Sequence, residues 1–430
     1  MTGDVLAGVL ADLRCGDHPG VVVDSPPGAG KSTLVVRVAS QLTGDGGQLA
    51  VVAQTNEQVD DLTDRLVDAL PGVPIGRLSG QDYVPAPRIA RHPTVRFDTQ
   101  VTALAEARIV IGTAAKWATV TQGEWRWAVV DEAYQMRSDA LLRIAGRFGR
   151  MLFVGDPGQL DPFSIVETTR WAGLTWDPMQ SAVAVLLRNN PSVAVHRLPV
   201  SWRLPASAAP VVSEAFYPFT GFQPATADAE RALSFQTRGF GSQPVDMTLE
   251  TAATSGWALH ELPARHTLRT DGDVAHACAA LARRLLERGG VARSERAPDG
   301  AALTPDRIAI GTAHRDQAAT VRSLLPARSG ITVDTANRLQ GREYDVTIIW
   351  HPLSGRRDAT AFHLEAGRLC VLTSRHRHAC VVVTRAGIPE LLDAHPSTEP
   401  VYLNEPAKFP DGWEANQAMM AHLHHHRVRA

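Results

Sequence analysis

The chain has 430 residues, 44% hydrophobic and 20% charged, a length and balance that predict a soluble globular protein of two or three domains. Its 43 Lys and Arg stand against 45 Asp and Glu, a formal net charge of −2, so no global field attracts nucleic acid and such a partner needs a local basic groove. The four cysteines, Cys15, Cys278, Cys370 and Cys380, form neither a C-x-x-C pair nor a disulfide framework; with no secretory leader pattern and no long apolar run, this predicts a cytoplasmic protein with no membrane partner.

In chain order, the first telling stretch is VVVDSPPGAGKSTLVVRVA, residues 21–39. A β-branched run enters a Pro/Gly turn, and an apolar stretch of helical spacing follows, which reads as strand, loop and helix. The pattern G-x-x-x-x-G-K-[ST] is met except at its first position, where Ser25 stands for Gly. Such a loop, Pro27, Gly28, Ala29, Gly30, Lys31, Ser32 and Thr33, curls backbone N–H groups around phosphate oxygens, with Lys31 on the terminal phosphates and the Ser32 hydroxyl on Mg²⁺.

Strand-like runs at 49–55, 107–113, 126–133 and 150–156 alternate with amphipathic helical patterns, and a second series follows at 306–314, 331–336, 344–351 and 379–384. This alternation predicts α/β domains with parallel sheets covered by helices. SGQDYVPAPRIARHP, 79–93, reads as a small insertion, and the Pro/Ala/Gly-rich stretch 204–256 as irregular connecting structure. The end, HLHHHRVRA, 422–430, reads as solvated chain in preference to a metal site.

WAVVDEAYQ, 127–135, puts Asp131 and Glu132 at a strand end, the mouth of a parallel sheet where ligands bind. There Asp131 would hold Mg²⁺ through water and Glu132 would act as general base on the attacking water. FVGDPGQLDP, 153–162, again follows a strand, and Gln159 on its turn can sense the terminal phosphoryl group because its amide both donates and accepts. An arginine brought to that phosphate can contribute on the order of 10³ to 10⁵ in rate; the candidates are Arg203, Arg342 and Arg375.

Together SPPGAGKST, AQTNEQVDDL (53–62), DEAYQ and GDPGQLDP resemble the first motor domain of superfamily 1 helicases in the branch moving 5′ to 3′, near its RNA-surveillance and DNA-replication members. VSWRLPASAAPVVSEAFY (200–217), GTAHRDQAATVRSLL (311–325), VDTANRLQGREYDVTII (333–349) and RLCVLTSRHRHACVVV (368–383) extend the resemblance in the family's order from about residue 20 to 385. The family's last motif usually reads Asn-Val-Ala-Leu-Thr-Arg-Ala; of this, Cys370 to His376 keep the Val and the Arg. A literal copy of its end, Thr384-Arg385-Ala386, follows its strand instead of preceding it and is set aside.

The resemblance implies two tandem RecA-like P-loop NTPase domains, at 1–198 and 199–430, with the nucleotide in the interdomain cleft. It also implies ATP and Mg²⁺ as cofactors and single-stranded DNA or RNA as partner. Arg203 and Arg375 become the arginine fingers, and Gln340, Gly341, Arg342 and Glu343 the motif that couples nucleotide to strand. Thr55, Asn56, Thr113 and Thr335 match positions that touch the strand backbone, a contact suited to hydroxyl and amide groups. Trp117 offers either a base-stacking surface or an apolar cover for the sheet. The loop and DEAYQ motifs lie only about a hundred residues apart, leaving little room for an accessory domain. A non-unwinding remodelling or signalling ATPase and a nucleotide-binding scaffold without catalysis are therefore the alternatives to a helicase or translocase.

Overall fold

The computed structural model describes residues 2–44, 47–160, 162, 171, 176, 178–241, 243–396 and 410–430. Contacts divide the chain into two units. The first comprises Met1–Pro26, Gly30–Pro157 and Asp161–Leu198, and the second Pro27–Ala29, Gly158–Leu160 and Pro199–Ala430.

In the first unit the strands are β1 (Gly20–Asp24), β2 (Leu49–Ala53), β3 (Ile75–Leu78), β4 (Val95–Asp98), β5 (Ile109–Thr113), β6 (Trp125–Asp131), β7 (Phe148–Gly155) and β8 (Ala194–Arg197). They form one 8-stranded sheet in the order β4-β3-β5-β2-β6-β7-β1-β8, and its pairings are parallel. Every residue of β1, β2 and β3 is buried, as a parallel sheet covered on both faces requires. Helix Lys31–Gly44 supplies cover through Leu34, Val35, Val38, Ala39 and Leu42, one stripe of helical period. The stretch expected as an insertion at 79–93 instead joins two paired strands of this sheet and contains helix Pro87–Ala90. Buried Arg77 anchors it, meeting Asp60 at 3.1 Å while its guanidinium lies over the Tyr83 ring.

The second unit holds β9 (Val200–Ser201), β10 (Gln223–Pro224), β11 (Ala232–Phe235), β12 (Trp257–Leu262), β13 (Gly290–Ser294), β14 (Ala297–Ala302), β15 (Ile308–Thr312), β16 (Thr332–Thr335), β17 (Tyr344–Trp350), β18 (His376–Arg385) and β19 (Arg427–Arg429). Its main sheet is 6-stranded, in the order β16-β15-β17-β18-β12-β19, with parallel pairings. Period-2 alternation sends Val346, Ile348, Val381 and Val383 to one apolar core and Ile349, Cys380 and Val382 to the other. β11, β13 and β14 make a smaller antiparallel sheet.

Two stretches of the second unit differ from their sequence reading. The region 204–256 contains helices Ala209–Phe216 and Pro244–Ser255 as well as β10 and β11; Pro at the start of each helix is compatible with helix, because the N–H it lacks has no intrahelical acceptor there. The His-rich end is ordered too. Helix Gly412–His424 buries Ala415, Met419 and Leu423, four apart, and β19 pairs with β12. The apolar spacing that fixes this helix lies mostly upstream of the histidines. Among the described residues no group of three or more His, Cys, Asp or Glu is placed to hold a metal ion, and no helix is long and apolar enough to cross a membrane.

Arg385, from the set-aside copy of the last motif, lies in β18 and grips buried Asp271 in a two-pronged pair at 2.8 and 2.9 Å. Asp271 also caps helix Gly272–Glu287, accepting from the amides of Asp273 and Val274. Burial pushes the Asp271 carboxyl up, but Arg385 and these amides outweigh it and hold the pKa below its ordinary value. Its contribution to stability is therefore present above about pH 4 and lost on acidification. Asp271→Ala is expected to destabilise the second unit by about 3–5 kcal/mol, the cost of breaking a buried pair, measured by denaturant unfolding at neutral pH, with a smaller difference from the unmutated chain as the pH falls below 4.

Candidate nucleotide site

Because β6, β7 and β1 are neighbours in a parallel sheet, their carboxyl ends open side by side. Register places Asp24 of β1 opposite Gly155 of β7, and Asp131 of β6 opposite Val154. The Gly/Pro loop, the DEAYQ motif and the GDPGQ turn therefore all leave the sheet at one level.

The loop takes the turn that its glycines permit: Gly28 and Gly30 lie at φ +74° and +90°, in the left-handed region that L side chains disfavour. Ser25 is buried, its amide donates to the Gly155 carbonyl at 2.8 Å, and it is not among the positive-φ residues. The first position of this loop thus needs no glycine, which explains how serine is accommodated. Helix Lys31–Gly44 begins at the next motif residue, with Ser32 partly buried and Thr33 exposed.

Lys31 Nζ sits 2.9 Å from Glu132 Oε1 and 3.0 Å from Oε2. Glu132 itself is held in the left-handed region, φ 49° and ψ 46°, a conformation that costs a non-glycine residue about 1–2 kcal/mol. Strain of this kind persists where the surroundings over-determine it. Here they include Gln135, which donates to Glu132 Oε2 at 3.3 Å, and Gln58, which donates to Gln135 Oε1 at 3.2 Å. Next to it, Asp131 is buried and its Oδ1 has no hydrogen-bond partner. Burial, reinforced by the Glu132 charge, pushes the Asp131 carboxyl up to about 6 against the pull of Lys31. A buried carboxylate oxygen without a donor suits a water-carried divalent cation, and a serine hydroxyl such as that of Ser32 is an oxygen ligand of the same kind, so the two residue types fit Mg²⁺.

Two contacts at this edge had no role assigned from sequence. Tyr134 Oη donates to buried Asp24 Oδ1 at 2.5 Å, fastening the segment after β6 to the end of β1, and Gln58 reaches from helix Asn56–Ala69. The tyrosine and both glutamines stand inside quoted motifs, but only the fold brings Tyr134 to Asp24 and Gln58 to Gln135.

In the second unit, Gln159 is buried and its Oε1 accepts from Gln340 Nε2 at 2.8 Å. Gly341 lies at φ +80° with Arg342 exposed beside it. Arg203 Nε faces Glu343 Oε2 at 3.4 Å, and its neighbour Trp202 is 57% exposed. Arg375 is 1% exposed; its Nε donates to Val371 O and its Nη2 to Ser374 Oγ, while Nη1 is buried without a partner.

Of the strand-contact candidates, Thr55 caps helix Asn56–Ala69, accepting from the Gln58 amide, and Thr113 accepts from the Lys116 amide. Asn56 Oδ1 accepts from Arg77, and Thr335 is buried at the end of β16. Trp117 is fully buried: its Nε1 donates to Val51 O at 3.0 Å and its ring meets Trp125 and Phe148 edge-on. That excludes it as a base-stacking surface.

Two family models, each described as an AAA domain, match residues 15–171 and 183–387. Together the two matches span most of the chain, which therefore carries two AAA domains in tandem. The first matched span carries the loop, DEAYQ and GDPGQ motifs, and the second carries the arginine and QGRE motifs. Among solved structures the chain is similar to arterivirus nonstructural protein 10, a helicase, in complex with DNA: 16% identity, TM-score 0.46, covering 89% of this chain and 65% of that one. A second crystal structure of arterivirus nonstructural protein 10 (helicase) gives 14% identity, TM-score 0.45, and 89% and 62% coverage. The chain thus spans just under two thirds of the length of these relatives. No match was found among the curated proteins.

Trp117→Ala is expected to destabilise the first unit by about 3–5 kcal/mol through the cavity it leaves, seen as a lower unfolding midpoint. Unchanged stability with selectively weakened strand affinity would contradict its place in the core.

Proposed function

We propose that the chain is an ATP-dependent translocase or helicase that couples Mg-ATP hydrolysis to movement along single-stranded DNA or RNA. The observation that carries this reading is the Lys31–Glu132 pair beside the unpartnered Asp131 oxygen, at the edge where the glycine loop turns.

In this reading the loop amides of Pro27 to Thr33 and the Lys31 ammonium bind the phosphates. Lys31 exchanges Glu132 for the terminal phosphate oxygens, releasing the Glu132 carboxylate to take a proton from the attacking water. Ser32 and Asp131 would hold Mg²⁺, which when bound would supply charge neutralisation to the phosphates. Gln159 senses the terminal phosphoryl group, Arg203 and Arg375 stabilise the charge it develops, and Gln340, Gly341, Arg342 and Glu343 transmit its presence.

The strand is held by backbone contacts from Thr55, Asn56, Thr113 and Thr335. Thr55 and Thr113 spend an oxygen lone pair on their helix caps, which leaves each hydroxyl hydrogen to donate to a phosphate oxygen. Domain limits at 1–198 and 199–430 and 5′-to-3′ movement belong to the same proposal.

Steady-state ATP hydrolysis with and without single-stranded DNA or RNA tests it. One strand type is expected to stimulate turnover strongly, and Lys31→Ala to abolish it. Turnover indifferent to both strands would replace the translocase with a remodelling or signalling ATPase. Glu132→Gln is expected to keep nucleotide and strand binding but lower kcat by at least about a hundredfold, the contribution of a general base; near-normal kcat would remove that role.

A further inference from the structure

We propose that Glu295, in the turn between β13 and β14 and outside every motif above, is a positioning residue that fixes Arg203 from both its backbone and its side chain. The inference rests on the reading of Arg203 as the group that meets the developing phosphate charge.

Two routes lead from Glu295 to Arg203, both inside the second unit. On the first, Arg231 forks onto Glu295, with Nε 2.9 Å from Oε2 and Nη2 2.8 Å from Oε1. The same guanidinium donates through Nη1 to the Arg203 carbonyl and through Nη2 to the Trp202 carbonyl, the latter at 2.8 Å. On the second, Arg377 Nη2 meets Glu295 Oε1 at 2.8 Å, its Nη1 meets Glu343 Oε1 at 3.3 Å, and Glu343 Oε2 receives Arg203 Nε at 3.4 Å. Glu343 engages Arg203 through the inner nitrogen of its guanidinium.

The fold brings these residues together. β11 pairs antiparallel with β13, Ala232 opposite Arg293, which sets Arg231 level with the Ser294–Glu295 turn. Arg377 enters from β18, two residues after Arg375, the other finger candidate. Arg231 and Arg377 are buried, whereas the Glu295 side chain is 32% exposed. The arginine neighbours, Arg231 first and against the effect of burial, hold the Glu295 carboxyl down to about 2. Three guanidiniums share two carboxylates, so the cluster keeps one net positive charge. Removing Glu295 would leave Arg231 and Arg377 repelling each other and slacken both grips on Arg203. A buried polar network loses more than one pair when its shared member goes.

The test compares Glu295→Ala, Glu295→Gln, Arg203→Ala and the double variant Glu295→Ala/Arg203→Ala in strand-stimulated ATP hydrolysis, with unfolding midpoints measured alongside. Glu295→Ala is expected to lower kcat at least about tenfold with KM for ATP changed less than about twofold, the split of a group that matters in the transition state. Glu295→Gln, which keeps one acceptor oxygen, should recover part of that loss. The double variant should be no slower than Arg203→Ala alone, because residues acting through one another are non-additive. Unchanged kcat in Glu295→Ala, additive losses, or a loss that merely follows the unfolded fraction would overturn the proposal. Such a result beside a slow Arg203→Ala removes only the role of Glu295. Arg203→Ala at unmutated turnover, or an unmutated chain without hydrolysis, removes the reading of Arg203 and the proposal together.

Discussion

A parallel sheet ends all its strands on the same edge, and in the first unit that single constraint assembles the candidate site. β1, β7 and β6 are consecutive in the sheet, so the glycine loop, the GDPGQ turn and the DEAYQ segment have no other edge on which to open. The Lys31–Glu132 pair forms there. Without the crossovers that keep these strands parallel, residues a hundred positions apart could not share hydrogen-bond distance.

That edge is costly to hold. Glu132 occupies a backbone conformation disfavoured for any residue but glycine, and Asp131 is buried with one oxygen unpartnered. Both features would lower stability in an ordinary strand end. Their coincidence on adjacent residues, braced by Gln135, Gln58 and the Tyr134–Asp24 bond, sets this edge apart from an ordinary strand end. In the second unit the polar investment is of another kind. Arg231, Glu295, Arg377, Glu343 and Arg203 form one linked series of ion pairs, and the small antiparallel sheet serves as the arm that carries Glu295 to them.

The same physics separates arginines that look alike in sequence. Arg385 belongs to the literal Thr-Arg-Ala copy, yet it is committed to Asp271. Arg375 makes its contacts to its own turn, through Val371 and Ser374, and keeps a buried nitrogen without a partner. Partner sets of this kind, not motif spelling, distinguish a structural arginine from one with hydrogen-bonding capacity left over.

The sequence by itself determined the α/β class, the central strands and the chemical identity of the loop and carboxylate motifs, because these depend on short-range order: period-2 apolar runs, glycines at fixed offsets, acids directly after a buried strand. It left unread the strands β3, β4, β8 and β12, the crossover at 79–93 and the helix before the His-rich end, whose apolar signals are short or interrupted by polar residues. Trp117 was open between stacking surface and core; burial against Trp125 and Phe148 decided it. Only tertiary structure could pair Tyr134 with Asp24, Gln58 with Gln135 and Glu295 with Arg231, since each pair depends on register and crossover, and neither leaves a trace in the local spacing of residues.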